Sequence, residues 1–119
     1  MPERYTPAYW EHLEKLVQQS DVVIDRAEGE SHPTYTDMVY PLDYGYLAGT
    51  TSADGGGIDV FVGAGGGSKP VALACTIDLT KRDAEIKILL DCTEAEMKVI
   101  IDFLNQSDGM YALLVRRED

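Results

Sequence analysis

Four aspartates at two places in the chain are the residues best suited to do chemistry. Asp54 and Asp59 flank a glycine run in ADGGGIDV, and Asp78 and Asp83 follow in IDLTKRDA. Hard cations such as Mg²⁺ prefer carboxylate oxygens and keep some of their water. A metal held in this way binds phosphate oxygens and activates a water molecule. The four side chains therefore predict a metal site for phosphate chemistry.

Each aspartate also has a simpler structural interpretation. Asp54 precedes three glycines, where an aspartate commonly forms a turn. Asp78 and Asp83 could merely flank a hairpin. Asp59 is harder to explain in this way, because aspartate is disfavoured inside a strand-like run unless a ligand or partner holds it. The presence of both pairs in one short chain favours the metal site.

Composition indicates one globular domain, predicted to span residues 1–119, with a strongly acidic character. The net charge of −11 argues against nucleic acid or an anionic membrane as partner, since both require a basic face. An anionic substrate would also be repelled unless cations screened the site. The charge therefore agrees with a metal requirement.

The sequence predicts a cytoplasmic protein. Its apolar runs are too short to cross a bilayer, and the N-terminus lacks the basic-then-apolar order of a signal peptide. Cys75 and Cys92 form no C-x-x-C motif and lie in apolar runs, which predicts two reduced core thiols. The oligomeric state stays open, a homo-oligomer included.

Apolar periodicity predicts two helices and five short strands that position these residues. A helix is expected over 7–19, and a capping box of Thr93 and Glu96 begins a second one. Strands are expected at 20–25, 58–62, 71–78, 83–90 and 110–116. If residues 79–82 form a tight turn, Asp78 and Asp83 lie on the same side at its two edges.

Three segments resemble the signatures of the soluble family I inorganic pyrophosphatases. YPLDYGYL, TTSADGGGIDV and IDLTKRDAEIK are similar, in this order, to the family's Y-P-x-N-Y-G-Y, D-G-D-P-x-D-V and D-x4-D-A-K motifs. The similarity is specific over 40–62 and 74–87 and looser over 21–116. It implies an α+β fold, mainly β, with a small five-stranded closed barrel of the OB type and flanking helices. The implied activity is Mg²⁺-dependent hydrolysis of pyrophosphate, with Mn²⁺ as a second candidate metal.

The resemblance also implies roles for individual residues. Tyr44 matches the tyrosine whose hydroxyl touches a phosphate, and Asp25 falls near the family's N-terminal glutamate. The implied metal ligands are Asp54, Asp59, Asp78 and Asp83.

The chain departs from the family pattern mainly on the phosphate side. Gly56 replaces the middle aspartate that usually deprotonates the attacking water, and Asp43 is a candidate replacement base. Glu85 replaces the lysine of D-A-K, while Lys87 lies on the same strand face. A long hairpin with a phosphate-binding arginine is missing. The catalytic candidates are thus Asp59, Asp54 and Asp43, and the candidate phosphate-binding cations are Lys87, Lys81, Arg82 and Arg26.

Two classes of function remain open. The first is a metal-dependent hydrolase of pyrophosphate or a related diphosphate. The second is a non-catalytic barrel that binds metal and a phosphate ligand, or a partner protein. The retained aspartates favour the first class, whereas Gly56 and the missing cations favour the second. An oligonucleotide-binding barrel is disfavoured by the net charge of −11.

Overall fold

The computed structural model of the protein describes residues 6–118, which form six strands and two helices. The helices are α1 (Pro7–Gln18) and α2 (Glu94–Leu104). The strands are β1 (Val22–Arg26), β2 (Asp43–Leu47), β3 (Ile58–Val62), β4 (Pro70–Asp78), β5 (Asp83–Leu90) and β6 (Met110–Arg116). The predicted helices, five predicted strands and α+β class are confirmed. Strand β2 was not predicted.

All six strands belong to one mixed sheet in the order β1-β2-β3-β5-β4-β6. Neighbouring strands are antiparallel except β3 and β5, which run parallel. Within residues 6–118 the sheet is open, with β1 and β6 at its edges. The predicted five-stranded closed barrel is therefore not confirmed. Strand β6 pairs with β4 along seven residue pairs and so occupies the edge at which β1 would have to close the sheet.

Each face of the sheet carries a hydrophobic core covered by one helix. Helix α1 packs on the first face, where the buried residues are Trp10, Leu13, Val17, Leu47, Val60, Leu73, Ile88 and Leu90. Helix α2 packs on the other face, whose core includes Tyr40, Leu42, Phe61, Ala72, Ala74, Leu89, Met97, Ile100, Phe103 and Leu104. The burial of apolar area on both faces supplies the main driving force for this fold.

The capping box at the start of α2 also connects the helix to the sheet. The Thr93 hydroxyl accepts a hydrogen bond from the Glu96 amide at 3.1 Å, and the Glu96 carboxylate accepts one from the Thr93 amide at 2.8 Å. Its second oxygen accepts from the Ala64 amide, just after β3, at 2.9 Å. The predicted capping box is thus confirmed. The Thr6 hydroxyl, by contrast, makes no cap bond to α1.

Gly45 allows β1 and β2 to approach each other closely. A Cβ atom at this position would overlap the carbonyl oxygen of Val23 on the neighbouring strand. Only glycine avoids this overlap. The glycine of DYGY therefore fixes the backbone that carries Tyr44.

The cysteines and the two helices are the features that bear on the expected cytoplasmic location. Cys92 is buried, Cys75 is partly buried, and both are free thiols, as predicted. Neither helix of residues 6–118 is long and apolar enough to cross a membrane.

Candidate active site

A polar cluster continues the α2-side core toward one end of the sheet. Residues two apart on a strand share a face, so Glu85 and Lys87 extend the row that leads to buried Leu89. Asp59 precedes Phe61 in the same way on β3. Asp59 and Lys87 are direct partners in the register of these two parallel strands. The sheet therefore places polar groups beside an apolar core.

Lys87 is the centre of this cluster. Its Nζ atom donates to Oδ2 of Asp59 at 2.8 Å, to the Tyr44 hydroxyl at 3.1 Å and to Oε1 of Glu85 at 3.4 Å. The Lys87 side chain is only 6% exposed. An ammonium group has three donors, and three acceptors surround it here. The buried charge is therefore compensated by the protein itself.

Burial and neighbouring charges determine the protonation states of the Lys87 ammonium group and the Tyr44 hydroxyl. Burial alone would lower the pKa of Lys87, but Tyr44 and Asp59 outweigh it and raise that pKa above its ordinary value. Burial raises the pKa of Tyr44, and the negative charge of Asp59 acts in the same direction. Lys87 is therefore a cation and Tyr44 a neutral hydroxyl at neutral pH.

Three carboxylates, which we call the acidic trio, lie beside Lys87. Asp54, Asp83 and Glu85 each place an oxygen within 4.8 Å of the others. Hydrogen bonds from the Ser52 hydroxyl and the Gly56 amide lower the pKa of Asp54 to about 2. Burial, together with the neighbouring Asp54, raises the pKa of Glu85. The trio therefore carries a repulsion that a bound cation would relieve.

The donor set of the acidic trio fits a hard divalent cation. It offers carboxylate oxygens, the ligands that Mg²⁺ and Mn²⁺ accept. Asp54 is exposed and the other two are partly buried, so water has access to the remaining coordination positions. The trio joins the loop before β3 to the start of β5, which are distant in sequence.

The structure brings together only part of the predicted metal set. Asp54 and Asp83 lie close together, and the third carboxylate beside them is Glu85. Asp59 lies next to them and is held by Lys87. Asp78 pairs with Asp83 in the hairpin register, and its Oδ1 accepts the amides of residues 80 and 81. The metal role of Asp59 and Asp78 stays a prediction.

Sequence reasoning missed Glu85 as a candidate ligand. The resemblance places Glu85 where the family has a lysine, but Glu85 alternates with Asp83 along β5 and therefore shares a face with it. That alternation was the signal that could have found it.

Asp43, the candidate base, does not join this cluster. Neighbouring strand residues point to opposite faces, so Asp43 faces away from Tyr44. Its Oδ1 accepts the amide of Glu28 at 2.9 Å, which anchors the loop after β1. Asp25 forms an exposed pair with Arg26 on β1. The catalytic role of Asp43 stays a prediction.

A cavity of about 600 Å³ opens beside Lys87 and Tyr44 on the α2 side of the sheet. Lys81 lines it, whereas Arg82 lies in the β4–β5 turn with a φ of 59° and does not. The remaining wall includes His32, Tyr35, Asp37, Met38, Tyr40, Phe61, Asp78, Thr80, Phe103, Leu104, Gln106, Ser107, Gly109 and Met110. Lys87 thus contacts the acidic trio through Glu85 and also lines the cavity.

Several solved protein structures are similar to this chain in fold. An inorganic pyrophosphatase of Neisseria gonorrhoeae superimposes with a TM-score of 0.63 at 15% identity, over 80% of this chain and 80% of its own. The chain has the fold of bacterial inorganic pyrophosphatases. The enzyme of Helicobacter pylori gives 0.57 at 15% identity over 80% and 81% of the two chains, and that of Coxiella burnetii gives 0.54 at 18% over 82% and 84%.

Because the sequence identities of these matches are low, the matches show a shared fold and nothing more. No protein-family model and no curated protein matches the chain.

Proposed function

We propose that this protein hydrolyses the phosphoanhydride bond of pyrophosphate with the help of a divalent metal, Mg²⁺ or Mn²⁺. The observation that carries this proposal is the convergence of Asp54, Asp83 and Glu85 within 4.8 Å on a pyrophosphatase-like fold. Three carboxylates this close together repel one another, and a cation bound by all three would relieve that repulsion. The shared fold supports pyrophosphate as the substrate class, and the trio supports a metal requirement.

The chain's own residues have separable tasks in this reaction. A divalent metal, when bound, neutralises phosphate charge and makes a water molecule more acidic. The acidic trio would hold the metal, with Asp59 and Asp78 as further candidate ligands. Tyr44 would donate its hydroxyl hydrogen to a phosphate oxygen. Lys81, at the cavity wall, would offset phosphate charge.

Lys87 would act mainly by positioning its neighbours. Its ammonium group holds Asp59, Glu85 and the Tyr44 hydroxyl at 2.8–3.4 Å, so it orients one member of the trio and the phosphate donor together. Because the ammonium is already bonded to three acceptors, its attraction for phosphate is reduced. Because Lys87 contacts both Glu85 of the trio and the Tyr44 hydroxyl, it would link metal binding to substrate binding.

A non-catalytic metal- and phosphate-binding protein is the second candidate. The observation that favours it is the pairing of Asp59 with Lys87, which occupies a carboxylate oxygen that the resemblance assigns to metal. Gly56 also provides no side chain to accept a proton. This candidate predicts metal binding without phosphate release.

A phosphate-release assay with pyrophosphate decides between the two candidates. We expect release with millimolar Mg²⁺ or Mn²⁺, none with a chelator, and a large loss in the double variant Asp83→Asn/Glu85→Gln. Asp21→Asn removes one exposed carboxylate outside the cluster and is the matched control. Absence of release from the parent protein at every metal concentration would favour the non-catalytic candidate.

A further inference from the structure

We propose that the cavity beside Lys87 is a subsite for a planar heteroaromatic group, so that the hydrolase accepts organic diphosphates such as nucleoside diphosphates in addition to pyrophosphate. This inference rests on the proposed hydrolase function and names its substrate class. Its starting point is the size of the cavity. Pockets of roughly 300–1,000 Å³ hold drug-sized ligands, and this one measures about 600 Å³. Pyrophosphate alone would leave most of that space unfilled.

Part of the cavity wall is a set of aromatic rings in mutual contact. Tyr40 stacks on Tyr44 with ring centroids 5.1 Å apart, lies 4.9 Å from Phe103, and stacks on His32 at 6.4 Å. His32 in turn contacts the ring of Tyr35 at 5.1 Å. An inorganic anion gains nothing from aromatic faces, whereas a planar ring stacks on them. The wall therefore favours a substrate that carries such a ring.

Tyr35 is the member of this wall that core packing does not explain. Its side chain is 59% exposed, although it lines the cavity and contacts His32. An exposed aromatic ring at a cavity rim is free to stack on a ligand at little cost in conformational entropy. Tyr35 is thus the residue through which the subsite can be tested with least damage to the core.

Polar groups on the same wall distinguish a heteroaromatic ring from a hydrocarbon. The Gln106 amide and the Ser107 hydroxyl line the cavity and make no side-chain hydrogen bond within residues 6–118. The Asp37 carboxylate lines it as well. These exposed groups can pair with the ring nitrogens and exocyclic groups of a nucleobase, whereas a hydrocarbon chain offers them no hydrogen-bond partner.

The cavity adjoins the proposed reaction site through Lys87 and Tyr44, while the acidic trio itself lies outside the cavity lining. Lys87 and Tyr44 line it, and the same Lys87 ammonium contacts Glu85 of the acidic trio at 3.4 Å. A diphosphate bound at the Tyr44 hydroxyl, with its charge offset by Lys81, can therefore extend its organic group into the cavity. In the reaction, the water oxygen bonds to the terminal phosphorus and the bond from that phosphorus to the bridging oxygen breaks. The bridging oxygen leaves with the monophosphate ester, and one water proton is released alongside inorganic phosphate.

The test compares kcat/KM for pyrophosphate, methyl diphosphate and the four common nucleoside diphosphates, all with Mg²⁺. We expect at least one nucleoside diphosphate to exceed methyl diphosphate by about tenfold, the effect of one base stacking on an aromatic side chain. Tyr35→Ala should lower the ratio of nucleoside diphosphate to pyrophosphate kcat/KM by a similar factor. Tyr111→Ala removes a tyrosine that is 67% exposed on β6 and does not line the cavity, so it should leave the ratio unchanged.

A binding measurement separates failure of this inference from failure of the hydrolase proposal. Calorimetric titration with a methylene-bridged nucleoside diphosphate should show binding that Tyr35→Ala weakens, whether or not turnover occurs. If pyrophosphate is hydrolysed while nucleoside diphosphates match methyl diphosphate and the analogue does not bind, the subsite is refuted and the hydrolase stands. If the analogue binds through Tyr35 and nothing is hydrolysed, the subsite stands and the hydrolase is refuted.

Discussion

The Nζ atom of Lys87 lies 2.8 Å from Oδ2 of Asp59, and the two residues are register partners on parallel strands β5 and β3. The chain thus places one of its own cations against a carboxylate that its motifs assign to a metal. Glu85 and the Tyr44 hydroxyl complete the surroundings of the ammonium group. The cluster therefore combines a fixed internal cation, the Lys87 ammonium group, with an adjacent acidic trio that is suited to bind an exchangeable metal ion.

Removal of Lys87 should destabilise the fold. Lys87→Met leaves Asp59 and Glu85 without their common partner, and breaking a buried pair in this way costs about 3 kcal/mol. We take the lower end of the usual range because Asp59 is 24% exposed. Urea unfolding at neutral pH measures the change. Lys98→Met, which breaks an exposed pair with Asp102, should cost less than about 0.5 kcal/mol, and equal costs would contradict the buried role of Lys87.

Divalent metal should raise the melting temperature through the acidic trio. Binding to the folded state alone adds about 2.7 kcal/mol at a metal concentration one hundred times the Kd. Asp83→Asn/Glu85→Gln should abolish the shift seen with Mg²⁺ or Mn²⁺ against a chelator. Asp59→Asn should reduce it less, because Lys87 already holds that side chain. A complete loss in Asp59→Asn would instead support the sequence-based assignment of Asp59 as a ligand.

Gly56→Asp should keep or raise turnover if the protein is a pyrophosphatase. A Cβ at Gly56 would lie 3.3 Å from Oδ1 of exposed Asp54, which can shift by a few tenths of an ångström to admit it. The new carboxylate would then stand beside the trio as a general base, a group whose presence is worth about 10²–10⁴-fold in rate. Phosphate release at saturating pyrophosphate measures the effect. Gly56→Ala is the control that separates the steric change from the base chemistry. If Gly56→Asp loses activity while Gly56→Ala keeps it, a carboxylate at position 56 does not act as a general base.

The Glu96 carboxylate should make stability depend on pH. Hydrogen bonds from the Ala64 and Thr93 amides hold the pKa of Glu96 below its ordinary value. Its ionised form is therefore stabilised by folding, so the contribution is complete above the ordinary glutamate pKa of about 4.3 and is lost as pH falls through the lowered value. Urea unfolding of the parent and Glu96→Gln between neutral and acidic pH should show a difference that shrinks only at the acidic end. Glu11→Gln, on the exposed face of α1, should show no such change.

Local pattern in the sequence was enough to predict most elements of the fold. Helical spacing, the Thr93–Glu96 capping box and strand alternation are properties of single segments, and the corresponding elements are present. Strand β2 escaped prediction because DYGYL mixes glycine, aspartate and tyrosine without a clean alternation. It is a strand because β1 and β3 hydrogen-bond to it on both sides.

The sequence by itself determined which residue types are available for metal and phosphate chemistry, and it predicted Asp54 and Asp83 as members of the candidate site. Only the tertiary structure decided that Glu85 is their third partner, that Lys87 takes Asp59, and that an aromatic cavity adjoins them. It also decided that the sheet stays open, because β6 occupies the outer edge of β4. Side-chain periodicity is recorded within one segment, whereas distances between segments depend on strand order and register. Those are set by the packing of the whole chain.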